Sequence, residues 1–428
     1  MAFLSFAQRQ ILHIRQGGRA VLLRKIRRAA WIVFGPVFYL FALPAVVIIR
    51  ASRPWFLVRL GRLLGSRIGH FAADTELYLC ERDAGINVPE ERHVDLFYVR
   101  APVCNRQLAA MWKRKLPVWP RLILEPIRVV NRWFPGYMDH ELELTTQFDR
   151  DVHNLLDRFP PHLSFTPKEE LRGQEGMRSM GMDPDSRFVC LIVRDGAFLN
   201  SFMPGEWDYH NYRDSDIQNY VLAVEELASR GYFVIRMGAA VRERLQSTHP
   251  QVIDYATNGA RSDFMDIYLG SKCTFCISAA TGFDAIPQVF RRPIVFVNHV
   301  PLGYLATSRR QFLGITKHHR SANDGRELAL REIFESGAAF FAFAEEYEAH
   351  GIFLTENSPE EIRDAVAEMA ERVTETWRQQ EEDAELQHRF WEIFPTHSVD
   401  SERKRPLHGE IRSRFGACFL RDNRWWLE

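Results

Sequence analysis

The stretch Thr281-Gly282-Phe283-Asp284-Ala285-Ile286-Pro287 lies between two apolar runs, Cys273-Thr274-Phe275-Cys276-Ile277-Ser278 and Pro293-Ile294-Val295-Phe296-Val297-Asn298. It reads as strand, turn of small residues, short helix, strand. A turn made of Ser278, Ala279, Ala280, Thr281 and Gly282 at the mouth of a buried strand leaves backbone N–H groups free at a helix N-terminus. Such groups suit a phosphate or diphosphate.

The same alternation continues on both sides. Phe188-Val189-Cys190-Leu191-Ile192-Val193 is an unbroken apolar run, Ile217 to Arg230 reads as a helix closed by Gly231, and Tyr232-Phe233-Val234-Ile235 as a short strand. Gln251 to Asp254 reads as a strand and Asp263 to Leu269 as a helix closed by Gly270. Further on, Gly351 to Thr355 is a strand, and Ser358 caps a helix with Pro359 at its first position. Short buried strands alternating with helices specify a parallel sheet covered on both faces, an α/β fold.

In an open parallel sheet, ligands bind beyond the carboxyl ends of the strands, so polar residues just past each apolar run are the candidates. Four such places occur: Arg194-Asp195-Gly196, Arg236-Met237-Gly238, Ser278 to Gly282, and Asn298-His299. Two arginines and a helix N-terminus on one edge would neutralise a diphosphate. Each arginine alone reads more often as a surface ion-pair partner, and their coincidence on one edge of the sheet favours the anion site. The polar aromatic loop Tyr209-His210-Asn211-Tyr212-Arg213 suits stacking on a base or a sugar, with Tyr209, Asn211 and Arg213 as contacts, or else a packed connector. Asp214-Ser215-Asp216 matches an Asp-x-Asp metal pattern, but reads as a helix start in which Ser215 and Gln218 form a capping box.

Upstream, Arg67-Ile68-Gly69-His70 looks like a turn opening a helix, His93 to Val99 reads as a strand, and Asn105 to Lys115 and Leu122 to Trp133 as helices. A histidine at such a turn suits the general base for an acceptor hydroxyl, because its ordinary pKa of about 6.5 fits proton transfer near neutrality. His70 is that candidate, with Asp74 and Glu76 in reserve; the alternative is a histidine that orients the loop.

The chain has 428 residues, enough for two α/β domains, and 55 Lys and Arg against 55 Asp and Glu, so net charge gives no case for nucleic-acid binding. Charge is unevenly placed. Seven basic residues between Arg9 and Arg28 precede an uncharged stretch from Ala29 to Ile49, and Arg50, Arg53, Arg59, Arg62 and Arg67 follow it. The stretch approaches the roughly 20 residues of a spanning helix, but Pro36 and Pro44 interrupt it and both flanks are basic. A kinked, re-entrant or interfacial anchor on an anionic membrane surface is the expectation. The six cysteines are scattered and form no disulfide framework; Cys273 and Cys276 read as strand filling. No Asn-x-Ser/Thr acceptor occurs, which fits a cytoplasmic body.

The segments Arg67 to Arg82, His210-Asn211-Tyr212-Arg213-Asp214, Gly231 to Gly238 and Ser262 to Tyr304 resemble a family of bacterial glycosyltransferases associated with surface-polysaccharide synthesis. That resemblance implies a GT-B-like fold, two Rossmann-like domains facing a cleft, preceded here by an N-terminal membrane-anchor helix. The expected parts are an anchor region over 1–60, an acceptor-side domain over 61–175, a nucleotide-sugar domain over 176–375 and a helical tail over 376–428. It implies a nucleotide-sugar donor, a lipid-linked or glycan acceptor, no cofactor and no obligatory metal, at the cytoplasmic face of the bacterial inner membrane. Donor contacts would be Arg194, Arg236, Gly238, Ser278, Thr281, Gly282 and Asn298, and catalysis would fall to His70 and Asp74. A nucleotide-sugar epimerase of similar fold and a catalytically silent biosynthetic scaffold are the competing readings; neither the sugar nor the linkage is legible.

Overall fold

The computed structural model describes residues 37–144, 150–197, 208–400 and 404–428, and the chain divides into two compact units. The smaller comprises residues 1–63, 89–100 and 116–143; the larger takes residues 64–88, 101–115 and everything from Leu144 onward.

In the smaller unit three parallel strands, β1 (Leu57–Leu63), β2 (His93–Val99) and β3 (Glu141–Leu142), lie in the order β2-β1-β3. β1 was not evident in the sequence, because Arg59 and Arg62 break its apolar run. The structure explains Arg59: it is buried, and its Nε and Nη2 donate to the two oxygens of Asp95 on β2 at 2.7 and 2.6 Å. A helix over residues 37–51 packs Ala42 and Val46 against Val130 of the Arg121–Asn131 helix. It holds the later part of the uncharged stretch and runs through Pro44; residues 29–36 lie outside the described residues. Among the described residues no helix is long and apolar enough to cross a membrane.

The larger unit is built on seven parallel strands: β4 (Phe188–Ile192), β5 (Phe233–Arg236), β6 (Val252–Ile253), β7 (Phe275–Ser278), β8 (Ile294–Phe296), β9 (Phe312–Gly314) and, after the antiparallel pair β10 (His318–Ser321) and β11 (Ile352–Thr355), β12 (Arg414–Phe415). Their order is β12-β9-β8-β7-β4-β5-β6. Alternate residues of each strand face opposite layers, and both layers are apolar. Val189, Leu191, Val234 and Ile277 meet the Val221–Ser229 and Pro359–Val373 helices on one side. Cys190, Ile192, Ile235 and Cys276 meet the Asp263–Lys272 helix on the other. Burial on both faces is why these strands read as continuous apolar runs rather than alternating ones.

The Asp263–Lys272 helix runs through Gly270 instead of ending there. A Cβ on Gly270 would lie 2.9 Å from Cγ2 of Ile286, so the glycine serves close packing against the Ala285–Val289 helix. The Ser358 cap forms as expected, in a full capping box with Glu361. Residues 376–428 hold the Asp383–Ile393 helix and then supply β12 to the sheet, with Phe415 and Trp426 buried in its core.

Candidate active site

Strand order reverses between β4 and β7: from β4 the chain builds outward through β5 and β6, then returns to place β7 on the other side of β4 and continues outward again. Loops leaving β4 and β7 therefore diverge, and the carboxyl edge at that point is where a doubly wound sheet opens to ligands. Arg194 and Asp195 leave β4 there, and the Ser278–Gly282 turn leaves β7.

Three arginines approach this edge. Arg213 donates from Nη2 to the carbonyl of Ala280 in the turn at 2.7 Å. Arg194 lies 3.4 Å from Asp214, and burial, then Arg213, lowers its pKa. Arg236 at the end of β5 is 1 % exposed and donates to Asp254 at 3.2 Å. In Arg213 and Arg236 the buried Nε–H has no hydrogen-bond partner among the described residues, while that of Arg194 meets Asp214 only in the 3.4 Å ion pair. Buried donors left unmatched are costly, and two beside a third that is loosely paired mark a place made for an acceptor. His299, past β8, adds one donor and one acceptor: both ring nitrogens lack partners among the described residues, and burial, helped by Arg213 and Arg150, pushes its pKa down to about 3, so the ring is neutral.

Beside them is a cavity of about 640 Å³, within the usual size range of ligand sites. Tyr212, Tyr347 and Phe353 give it an aromatic wall, the two tyrosine rings 5.3 Å apart between centroids. Arg236, Arg242 and Lys317 supply cations, and Asp195, Asp214 and Glu356 carboxylates. Lys317 is 4 % exposed, donates to the carbonyl of Asp214 at 2.5 Å, and is lowered in pKa by its burial. Asp195 accepts from the N–H groups of Ala197 and Arg242 at 3.0 and 2.8 Å, which ties the loops after β4 and β5 together. Lys317, Glu356 and Tyr347 were not evident in the sequence: Lys317 follows the short strand β9, which carries no long apolar run, while β11 and the Ala344–Ala349 helix lie outside the main sheet and flank or carry Glu356 and Tyr347.

The turn after β7 is partly closed on itself. Ser278 is fully buried; its hydroxyl donates to Asp284 at 2.8 Å and accepts from Thr281 N–H at 3.4 Å, while Thr281 Oγ1 accepts from Phe283 N–H at 3.3 Å. Ala280 sits at φ 52°, in left-handed backbone. Asn298, 1 % exposed and also left-handed, is engaged elsewhere: it and Asn357 each accept the other's backbone N–H, at 2.6 and 2.9 Å, joining the end of β8 to the segment after β11. Gly238 has φ 155°, and a Cβ there would meet Val241 at 2.5 Å, so it shapes the turn after β5. Asn211 lines the cavity, whereas the side chain of Tyr209 lies outside the described residues. Asp216, not Ser215, is the N-cap, accepting from Gln218 N–H at 2.8 Å.

The Ile68–Asp83 helix belongs to the same unit, and its first turn abuts the turn after β7. Its N-cap Arg67 makes no side-chain cap, and a Cβ on Gly69 would lie 3.1 Å from Cα of Gly282. His70 is the next residue. Its Nδ1 is 3.2 Å from Oδ2 of Asp74, one helical turn on and 3 % exposed. Such a carboxylate fixes the ring's tautomer with the proton on Nδ1, leaving Nε2 as the basic atom. Glu76 faces the other way: its Oε1 accepts from Arg291 at 2.7 Å and from His162 N–H at 3.2 Å. Glu76, Cys80 and His162 lie close enough to resemble metal ligands. The Arg291 guanidinium already serves that carboxylate, and burial pushes the Cys80 thiol up to about 12, which makes the group a buried ion network.

No family model and no curated protein matches the sequence. Among solved structures, the glycosyl transferase family 9 protein from Veillonella parvula DSM 2008 is similar over 75 % of this chain and 98 % of its own, at 10 % identity and a TM-score of 0.42. The E. coli ADP-heptose lps heptosyltransferase II is similar over 57 % of this chain and 86 % of its own, at 12 % identity and a TM-score of 0.32. Both scores fall below 0.5, and neither likeness identifies the chain.

Proposed function

We propose that this chain is a glycosyltransferase that moves a sugar from a nucleotide-sugar donor to a glycan or lipid-linked acceptor at a membrane surface. The observation that carries the reading is the pair of buried Nε–H groups on Arg213 and Arg236, unmatched among the described residues, beside the loosely paired Arg194 at the switch point of a doubly wound sheet. A donor diphosphate supplies the missing acceptors. The cavity with its Tyr212 and Tyr347 wall receives the nucleoside, and a carboxylate such as Glu356 suits its ribose hydroxyls.

In the transfer step His70 Nε2 takes the proton of the acceptor hydroxyl as that oxygen bonds to the anomeric carbon, and Asp74 steadies the charged ring. The bond from the anomeric carbon to the phosphate oxygen breaks, and the electron pair leaves with the nucleoside diphosphate. Arginines held in place before reaction stabilise that developing charge without reorganising. The test is a panel of nucleotide sugars offered to the full chain with and without glycan and lipid-linked acceptors, following release of nucleoside diphosphate. Acceptor-dependent release from one donor supports the reading. Failure to bind any nucleoside diphosphate overturns it.

A further inference from the structure

The smaller unit exposes many large apolar side chains that the other described residues do not cover. On the helix over residues 37–51, Ala42 and Val46 point inward, while Leu40, Phe41, Val47 and Ile48 point outward; Leu40 is 75 % and Phe41 72 % exposed. Trp55 follows at 76 %. A second segment of the same unit, far along the sequence, exposes Trp119, Leu122, Ile123 and Trp133 around the Arg121–Asn131 helix on which the first helix packs. Most large apolar side chains exposed among the described residues belong to this unit, although it is the smaller. So many exposed large apolar side chains gathered in one small unit mark it as an interaction surface.

Charge selects the occupant. The unit holds 16 Lys and Arg against 7 Asp and Glu in a chain of zero net charge, and no acidic residue occurs before Asp74. Apolar side chains with exposed tryptophans and a surplus of positive charge match the interface of an anionic bilayer, where indole rings sit at headgroup depth. One side of the described part of this helix, over 37–51, is committed to the unit's own packing, which suits a helix lying in the plane of the interface.

We infer that the smaller unit docks monotopically on anionic membrane through two segments, the helix over 37–51 with Trp55 and the region 119–133, rather than through an N-terminal helix alone. This stands on the smaller unit and holds whether or not the larger one transfers a sugar.

The test is sedimentation of the full-length protein with vesicles of phosphatidylcholine containing about 30 mol % phosphatidylglycerol, and with phosphatidylcholine alone. Wild type should bind the anionic vesicles and bind the neutral ones at least about tenfold more weakly, with binding weakened by salt. Phe41→Asp with Ile48→Asp, and separately Leu122→Asp with Ile123→Asp, should each reduce the bound fraction about fivefold or more while the melting temperature holds. Wild-type binding by the Leu122→Asp, Ile123→Asp protein would overturn the two-segment surface. Equal binding to both vesicles would overturn the anionic preference. A wild-type protein that ignores vesicles would overturn the proposal outright, and a stable dimer would then point to a second copy of the chain as the occupant. Donor turnover measured in detergent reports separately on the transferase reading.

Discussion

The backbones of Gly69 and Gly282 meet with no side chain between them: a Cβ on Gly69 would lie 3.1 Å from Cα and 3.3 Å from the carbonyl oxygen of Gly282, and one on Gly282 would lie 3.3 Å from Gly69 N. Both obstacles are main chain, so neither can swing aside. Replacing Gly69 by Ala gains up to about 1 kcal/mol of helix propensity and loses about 1–3 kcal/mol to overpacking, leaving a small net loss. Gly69→Val lacks most of that compensation and should lower the melting temperature by several degrees; a Gly69→Val protein as stable as wild type would show that the helix and the turn do not pack so closely.

Arg213 is the sharpest probe of the anion site, since it touches the turn through Ala280 and carries an unmatched Nε–H. Charge-assisted hydrogen bonds contribute about 1.5–3 kcal/mol, so Arg213→Ala should weaken nucleotide-sugar binding by tenfold or more in calorimetry. Unchanged affinity removes Arg213 from the site. Arg236 is a poorer probe, because its truncation strands Asp254 beside a buried void and costs about 3–5 kcal/mol of stability on its own.

His70→Ala should lower turnover by about 10²–10⁴-fold with donor affinity little changed, the range expected for loss of a general base. Asp74→Asn keeps the shape but favours the wrong tautomer, so it should also reduce turnover while leaving the donor dissociation constant near wild type. Near-normal turnover in His70→Ala would move the base elsewhere.

Stability should depend on pH through His318. Burial pulls its pKa down, but Glu327 and Glu361, the latter accepting at 2.9 Å, together outweigh that and raise it to about 9. A folded pKa above the unfolded value of about 6.5 stabilises the fold fully below pH 6.5 and loses that contribution as pH rises through 9. The shift corresponds to about 3 kcal/mol, so His318→Gln should melt well below wild type at pH 6 and approach it near pH 10. A gap between the two proteins that stays constant across that range would contradict the assignment.

The main sheet was legible because β4, β5, β7 and β8 are buried on both faces and carry no polar residue until they end. β2 was equally clear, whereas β1 was hidden by Arg59, whose charge is met by Asp95 on a strand that no local pattern connects to it. Of the candidate site, the strand-end arginines could be read from position alone. What position could not show was how polar groups are spent. Asn298 looks like Arg194 in the sequence, yet its amide oxygen accepts from the N–H of Asn357, 59 residues away, and its amide nitrogen donates to Tyr220 at 3.3 Å. Tyr347 reaches the cavity from a helix outside the strand-and-loop rhythm, and Lys317 follows β9, a three-residue strand too short to stand out in the sequence.

β9 gains its outer neighbour only from Arg414 and Phe415, roughly a hundred residues later. At ribosomal rates of about 5–20 residues per second, the Phe312–Gly314 edge waits about 5–20 seconds for its partner while the rest of the sheet has already been made. An open edge of that kind pairs readily with other chains. The last strand is therefore a late closure on a nascent protein, and a chain cut short just before residue 414 would leave the ribosome with every strand of its main sheet except the one that seals it.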